Sequence, residues 1–164
     1  MSWLNPTRLL SRTATSVSHN ALFRSSIRAS TSKQSSNKEV VHSEWCKPAA
    51  AYSAAVKGNG IIFVSGQLGI DPSTKAFVSD TAPEQAQQAL RNLQGILSDA
   101  GSDLNKVCKA TVLLSDINDF AAVNSVYADF FKQANVTELP ARAAYAVANL
   151  PLNAKVEIEA FALE

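Results

Sequence analysis

The order of strand-like and helix-like segments is the feature of this chain that most restricts its fold. Six segments have the alternation or β-branched composition of strands, and two carry apolar residues at helical spacing. They follow one another as three strands, a helix, a strand, a helix and two strands. The predicted strands span residues 39–43, 52–57, 61–65, 107–114, 142–147 and 156–163. We therefore predict an α+β fold with two helices on one face of a mixed sheet of about six strands.

Turn and capping signals mark the ends of several elements. Gly58-Asn59-Gly60 favours a hairpin, because Asn and Gly accept the positive φ of a tight turn. Thr81-Ala82-Pro83-Glu84 has the form of a capping box, Gly101 is a typical helix stop, and Asn118 is predicted to cap the second helix. The apolar positions at helical spacing are Ala86, Leu90, Leu93, Leu97 and Ala100 in the first helix and Phe120, Val123, Tyr127 and Phe130 in the second.

The last predicted strand has two chemically different faces. One set of alternate residues is apolar and suits a helix layer: Val156, Ile158, Ala160 and Ala162. The other set contains Glu157, Glu159 and Phe161. Because two helices cover only one face of such a sheet, this second face either meets water or is covered by another subunit.

Charge is distributed unevenly along the chain. Residues 1–38 hold six basic side chains, 14 serines and threonines and no acid, whereas residues 39–164 hold nine basic and 14 acidic side chains. An arginine- and serine-rich segment without acids or a long apolar run is typical of an organellar transit peptide. We predict that residues 1–38 direct import into the mitochondrial matrix, with the plastid as the alternative, and that residues 39–164 form one domain. A disordered tail without a targeting role is the other interpretation.

Composition also disfavours several functional classes. The acidic domain argues against nucleic acid as the main partner, because phosphate binding needs a concentrated positive field. Cys46 and Cys108 have the spacing of neither a zinc site nor a redox pair, and His42 is the one histidine beyond residue 38. Neither a metal site nor a histidine-based triad is therefore expected. The glycine-rich nucleotide motifs are absent, and no membrane partner is expected.

Several residues stand where they could bind a ligand, although each also has an ordinary structural explanation. Arg142 lies among alanines at a strand start, where it either forms an ion pair or grips a carboxylate through its two-pronged donor geometry. Tyr52 is either a core residue or part of a site. Ser65-Gly66 marks either a simple bulge or a close backbone approach to a ligand. On residue type alone, Asn124 suits a helix surface and Glu157 a solvated strand face.

Four segments taken together resemble the RidA (YjgF) family of reactive-intermediate deaminases. They are Ala-Tyr-Ser-Ala-Ala-Val at 51–56, Phe-Val-Ser-Gly-Gln-Leu at 63–68, the segment 119–127, and Pro140-Ala141-Arg142 with 156–160. They occur in family order and at family spacing, and the likeness covers roughly residues 40–164. The chain departs from the family in having Ala51 before Tyr52, where proline is common, and Ala144, where many members have cysteine.

The resemblance implies a chorismate-mutase-like (bacillus-type) α+β fold and a homotrimer with clefts between subunits. It implies hydrolysis of 2-iminoacids, such as 2-iminobutanoate and 2-iminopropanoate, to 2-oxoacids and ammonia, which protects pyridoxal-phosphate enzymes. No cofactor or metal is implied.

The resemblance also implies roles for individual residues. The catalytic residues would be Arg142, which grips the substrate carboxylate, Glu157, which holds the attacking water, and Tyr52. The other substrate-binding residues would be Gly66, Ser65, Ala144 through its backbone N–H, and Asn124.

Two other functions remain on the same fold. The first is a non-catalytic module that senses a small carboxylate or binds a protein, and it would need Arg142 but not Glu157. The second is RNA cleavage or translation inhibition, which the acidic domain disfavours. The joint presence of Arg142 and Glu157 favours the deaminase.

Overall fold

Six strands and two α-helices are present in residues 38–164, the part of the chain that the computed structural model describes. The strands are β1 (Glu39–Val41), β2 (Ala55–Gly58), β3 (Ile61–Leu68), β4 (Val107–Leu114), β5 (Ala141–Ala146) and β6 (Val156–Leu163), and the helices are α1 (Ala82–Asp99) and α2 (Phe120–Gln133). Short 3₁₀ turns lie at Leu104–Lys106, Ile117–Asp119 and Pro151–Asn153.

The strands form one sheet in the order β1-β2-β3-β6-β4-β5. β4 and β5 pair in parallel, with α2 between them in sequence, and the other neighbours are antiparallel. This mixed sheet confirms the predicted α+β class. The hairpin between β2 and β3 turns at Asn59 and Gly60, whose φ angles are +53° and +80°.

The hydrophobic core lies between one face of the sheet and the two helices. On β6, the apolar set predicted to face the helices is buried, with exposures of 0–2%. Glu157 and Glu159, which alternate with that set, are half-buried, and Phe161 is exposed. We call the face that carries these three residues the open face of the sheet.

The start of α1 differs in detail from the predicted capping box. Thr81 is the N-cap residue, but it makes no side-chain cap. Its hydroxyl donates to Glu84 Oε2 at 2.9 Å, so the two side chains bond to each other and not to backbone N–H groups. The rest of the helix follows the sequence pattern: its predicted apolar positions are buried, and Gly101 adopts φ +78° directly after the C-cap.

Gly95, in the interior of α1, leaves room for the indole of Trp45. A Cβ added at residue 95 would overlap the Trp45 ring. The sequence offers no reason for a glycine in this helix, because the contact joins residues 50 positions apart.

The prediction for the start of α2 was wrong. Asn118 does not cap this helix; it lies in a 3₁₀ turn, where its N–H donates to Asp116 Oδ1 at 2.9 Å. The N-cap of α2 is Asp119, which makes no side-chain cap. Val123 and Tyr127 are buried as predicted, but Phe120 is 38% exposed and Phe131 is the aromatic side chain that fills the core, at 1%.

Four of the six predicted strands differ from the structure at their ends: β1 ends at Val41 and not at residue 43, β5 lies one residue earlier than predicted, and β2 and β3 differ more. β2 begins at Ala55, so Tyr52 lies in a bend before the strand and not in it. β3 continues to Leu68 through a bulge between Val64 and Gln67. Within residues 38–164, no helix has the length and apolar character needed to cross a membrane. The predicted transit peptide falls on residues 1–37, outside the described residues, and on Lys38.

Candidate active site

Glu157 and Gly66 form the first part of the candidate site. Glu157 lies on the open face of β6, opposite Leu68 of β3, and its carboxylate occupies the space next to Gly66. A Cβ added at residue 66 would overlap Glu157 Oε1. Glycine at this position therefore lets the carboxylate lie directly against the backbone, and a larger residue would push the Glu157 side chain aside.

The bulge of β3 is fixed by hydrogen bonds on both sides of Gly66. The Ser65 hydroxyl donates to Ser53 O at 2.7 Å, and the Ser65 backbone N–H donates to Ala54 O at 3.0 Å. The buried Gln67 side chain donates through Nε2 to Ser65 O at 2.9 Å. These bonds join the bulge to the segment that carries Tyr52.

Tyr52 is 46% exposed and lies on the same side of the sheet as Glu157. Partial burial raises the pKa of the Tyr52 hydroxyl, and the neighbouring Cys46 thiol and Glu157 carboxylate raise it further. The hydroxyl therefore keeps its proton at neutral pH and can donate a hydrogen bond. We call Tyr52, Ser65, Gly66 and Glu157 the glutamate half-site.

The Glu157 carboxylate has a raised pKa. Burial raises its pKa above the ordinary value of 4.5, and the like charge of Glu159, two residues along the same face, raises it further. A carboxylate of this kind accepts a proton more readily than a solvated one.

A groove of about 650 Å³ lies on the open face and is lined by two residues of the glutamate half-site, Tyr52 and Ser65, but not by Glu157 or Gly66. Its lining includes Tyr52, Ser65 and Glu159 together with Phe63 and Phe161. The two phenylalanine rings meet edge to face, with centroids 5.3 Å apart, and remain 41% and 42% exposed. The groove thus combines polar groups with an apolar wall.

Arg142 lies in a second group of residues, at the edge strand β5. Its Nη2 donates to Asn124 Oδ1 on α2 at 2.6 Å, and its guanidinium carbon lies 4.6 Å from the centre of the Tyr127 ring. Ala144, two residues further along β5, packs against the core. We call Asn124, Tyr127, Arg142 and Ala144 the arginine half-site.

Arg142 has no carboxylate partner among the described residues, where the one salt bridge joins Lys47 to Glu44. Its partners are an amide oxygen and an aromatic ring, so the guanidinium keeps its charge uncompensated at the surface. Within the described part of one chain, Arg142 therefore does not form the structural ion pair, which was one of the two interpretations that the sequence left open.

The two half-sites lie on opposite faces of the sheet in one chain. Arg142 pairs with Ala110 of β4, which pairs with Ala160 of β6, and both alanines are buried under the helices. Glu157 alternates with the buried Val156 and Ile158 and therefore points the other way. The structure thus brings Tyr52, Ser65 and Gly66 to Glu157, and Asn124 and Ala144 to Arg142, but does not join the two sets.

Sequence reasoning missed two residues that contact predicted site residues: Tyr127, which contacts Arg142, and Cys46, which contacts Tyr52. Tyr127 was assigned to the core, although its position three residues after Asn124 on a helix is a signal that both contact one ligand or side chain. The loop between β1 and β2 brings Cys46 next to Tyr52, and no sequence pattern indicates that contact.

No group of three or more His, Cys, Asp or Glu side chains in residues 38–164 could hold a metal ion.

Comparison with solved structures identifies other proteins that share this α+β fold, two of them from E. coli. The structure of the E. coli YjgF gene product is similar, with a TM-score of 0.71 and 38% identity over 77% of this chain and 98% of that one. The E. coli protein TdcF, solved with bound serine, is similar with a TM-score of 0.72 and 34% identity over 77% of this chain and 98% of that one.

The sequence comparison gives the family. The profile of the family described as endoribonuclease L-PSP matches residues 43–164, and the chain therefore belongs to this L-PSP (RidA/YjgF) family. A mouse protein named 2-iminobutanoate/2-iminopropanoate deaminase is 50% identical over 113 residues, which are 69% of this chain and 81% of the relative. An Arabidopsis thaliana protein named Reactive Intermediate Deaminase A, chloroplastic, is 44% identical over 149 residues, which are 87% of this chain and 78% of the relative. The predicted family and fold are confirmed.

Proposed function

We propose that the protein hydrolyses 2-iminobutanoate, 2-iminopropanoate and their enamine tautomers to 2-oxoacids and ammonia. The observation that carries the proposal is Arg142, an exposed guanidinium without a carboxylate partner in the described chain, held from behind by Asn124 and Tyr127. Such a group binds a substrate carboxylate through two parallel hydrogen bonds. The names of the deaminase relatives at 44–50% identity and the bound serine of TdcF agree with a small amino-acid-like ligand.

We propose that a site is completed when two copies of the chain meet, in a homotrimer with a cleft at each contact. The uncombined half-sites support this, because neither holds both the guanidinium and the carboxylate. The exposed apolar side chains of the open face support it as well, since such a surface is typical of a subunit interface: Ile61, Phe63, Tyr145, Phe161 and Leu163. Light scattering should give a trimer, and a stable monomer at micromolar concentration would contradict it.

The chemistry follows from the two half-sites. Arg142 of one copy fixes the iminoacid by its carboxylate, so Glu157 of the neighbour remains free to accept a proton from water. The water oxygen bonds to the imine carbon, and the C=N bond becomes a C–N single bond. Tyr52 donates a hydrogen bond to the nitrogen, and Glu157 passes the water proton to it. As the C=O bond forms and the C–N bond breaks, Glu157 takes the proton of the new hydroxyl and passes it to the nitrogen as well, so both water hydrogens leave with ammonia. The reaction consumes one water, and it needs orientation and polarisation rather than a strong nucleophile.

The direct test uses imine made in place. A threonine dehydratase turning over threonine releases the imine of 2-oxobutanoate, and ammonia is followed with and without the purified protein. We expect ammonia release well above the spontaneous rate, and no acceleration by Arg142→Ala. Equal rates with and without the protein would contradict the proposed activity.

Two other activities differ from the deaminase in measurable ways. A carboxylate-sensing module would bind 2-oxobutanoate through Arg142 but give no acceleration. RNA cleavage, which the description of the family names, needs phosphate contacts, whereas residues 39–164 carry 14 acidic against nine basic side chains. Only the deaminase requires Glu157 in addition to Arg142.

We propose further that residues 1–38 are a mitochondrial transit peptide and that residues 39–164 are the active domain. The arginine- and serine-rich, acid-free composition supports import, and the chloroplastic Arabidopsis relative makes the plastid the alternative. A fluorescent protein fused behind residues 1–38 should enter mitochondria; a signal that stays in the cytosol would contradict targeting. The shortened chain should keep its deaminase activity.

A further inference from the structure

Tyr127 is held rigidly in the core of the domain. It is 4% exposed, and its ring stacks on that of Phe131, with centroids 4.7 Å apart and an interplanar angle of 27°. Both residues lie on the buried face of α2 with Val123. The plane of the Tyr127 ring is therefore set by packing and not by Arg142.

The outer face of this ring meets Arg142. The guanidinium carbon lies 4.6 Å from the ring centre, within the range of a cation–π interaction. Asn124, one turn earlier on α2, accepts a hydrogen bond from Nη2 at 2.6 Å. One helix thus supports the guanidinium from its flat side and from one of its nitrogens, and the remaining N–H donors stay exposed.

We propose that Tyr127 is a positioning residue, whose ring fixes the plane of the Arg142 guanidinium so that its free donors present a two-pronged surface to a substrate carboxylate. The consequence for turnover rests on the proposed deaminase function, but the contact itself does not. Arg142 would otherwise be a long side chain with several rotamers, and the ring and Asn124 together restrict it before the ligand arrives.

The ring, and not the hydroxyl, is the acting part of Tyr127. Among the described residues its hydroxyl is the buried side-chain group without a hydrogen-bond partner. Burial raises the pKa of this hydroxyl to about 12, although the nearby charge of Arg142 acts in the opposite direction. The hydroxyl therefore stays protonated at neutral pH. Tyr127→Phe removes only the hydroxyl, so the contact between the ring and the Arg142 guanidinium should persist in it.

Three variants of the full-length protein separate positioning from general core damage. Tyr127→Phe keeps the ring, Tyr127→Leu removes it, and Phe131→Leu removes the neighbouring buried ring that does not carry Arg142. The first readout is the NMR shift of the Arg142 side-chain protons, which a ring face moves upfield. We expect this shift in the unaltered protein, Tyr127→Phe and Phe131→Leu, and its loss in Tyr127→Leu.

The second readout is kinetic. With 2-iminobutanoate, Tyr127→Leu should raise KM about tenfold with a smaller effect on kcat, which is the size expected for one cation–π contact. Phe131→Leu should lower thermal stability but leave KM within about threefold. Should Tyr127→Leu not fold, trifluorophenylalanine at position 127 keeps the ring shape, weakens its negative face and should raise KM in the same way.

The outcomes distinguish this inference from the proposed function. An unchanged Arg142 shift in Tyr127→Leu, or equal rises in KM for the two leucine variants, would overturn the positioning role. A ring-dependent Arg142 shift in a protein that does not hydrolyse 2-iminobutanoate would support the positioning role and overturn the deaminase instead.

Discussion

Arg142 illustrates how a residue's type predicts its use but not its surroundings. An arginine among alanines was expected to have few local partners, and in the described chain it contacts no carboxylate. Its contacts with Asn124 and Tyr127 come from α2, 15 or more residues earlier, and could not be derived from the strand on which it lies. Its geometry nevertheless agrees with the predicted carboxylate clamp, which stays a prediction.

Replacing Arg142 with lysine tests that clamp. Lysine keeps the charge but cannot make two parallel hydrogen bonds, so kcat/KM for 2-iminobutanoate should fall by roughly one to two orders of magnitude. Arg91→Lys, at an exposed position of α1, is the matched control and should have no effect. Near-normal turnover by Arg142→Lys, in a protein with unaltered thermal stability, would contradict the clamp.

Glu157 is expected to act on water and not on binding. Glu157→Gln preserves size and one hydrogen-bonding oxygen but removes the basicity, so turnover should fall by about 10²–10⁴-fold. Affinity for the product 2-oxobutanoate should change little, because Arg142 holds its carboxylate. Turnover within a few-fold of the unaltered protein would show that another group handles the water.

The raised pKa of Glu157 predicts a pH dependence. The ionised form is the base, so kcat/KM should fall as pH drops through that pKa, which lies above 4.5 because of burial and the charge of Glu159. Glu159→Gln removes the like charge, lowers the Glu157 pKa and should move the acid limb of the profile to lower pH. A limb that stays in place or moves upward would contradict the assignment.

The same shift affects folding: protonated Glu157 stabilises the folded state relative to ionised Glu157, and this contribution is lost as pH rises through the raised pKa.

At the scale of elements, alternation predicted the strands well where one face is fully buried. β4 and β6 have the predicted bounds, because every second residue of β6 meets the helices. Prediction failed where local hydrogen bonds replace the regular pattern. Asp116 stabilises a 3₁₀ turn before α2, and the bend at Tyr52 delays β2.

The contact between α1 and Trp45 gives a prediction whose sign is informative. Helix propensity alone would make Gly95→Ala stabilising by about 1 kcal/mol. Overlap with the Trp45 ring should instead make it destabilising by about 1–3 kcal/mol in denaturant unfolding. In a Trp45→Ala background the overlap is gone, and Gly95→Ala should become stabilising. Gly58→Ala, where an added Cβ meets nothing within 4 Å, controls for glycine replacement. Stabilisation by Gly95→Ala in the unaltered background would exclude the proposed packing.

At the scale of the whole molecule, the separation of the half-sites was beyond sequence reasoning. The alternation of β6 placed Glu157 on the face away from the helices. The face of Arg142 depends on the parallel pairing of β5 with β4, which pairs it with Ala110 on the helix side. The sequence around Arg142 does not show which face it occupies, because the alternation of an edge strand does not indicate the strand with which it pairs. The proposed site, which contains both groups, therefore needs a second copy of the chain.

The most direct test of that claim combines two inactive variants. Arg142→Ala and Glu157→Gln, co-expressed with different affinity tags, give mixed trimers that can be isolated through both tags. If each site takes its arginine from one copy and its glutamate from the next, every mixed trimer contains one intact site. It should then recover about a third of the unaltered activity, although each parent is inactive. Mixed trimers as inactive as their parents would contradict the account.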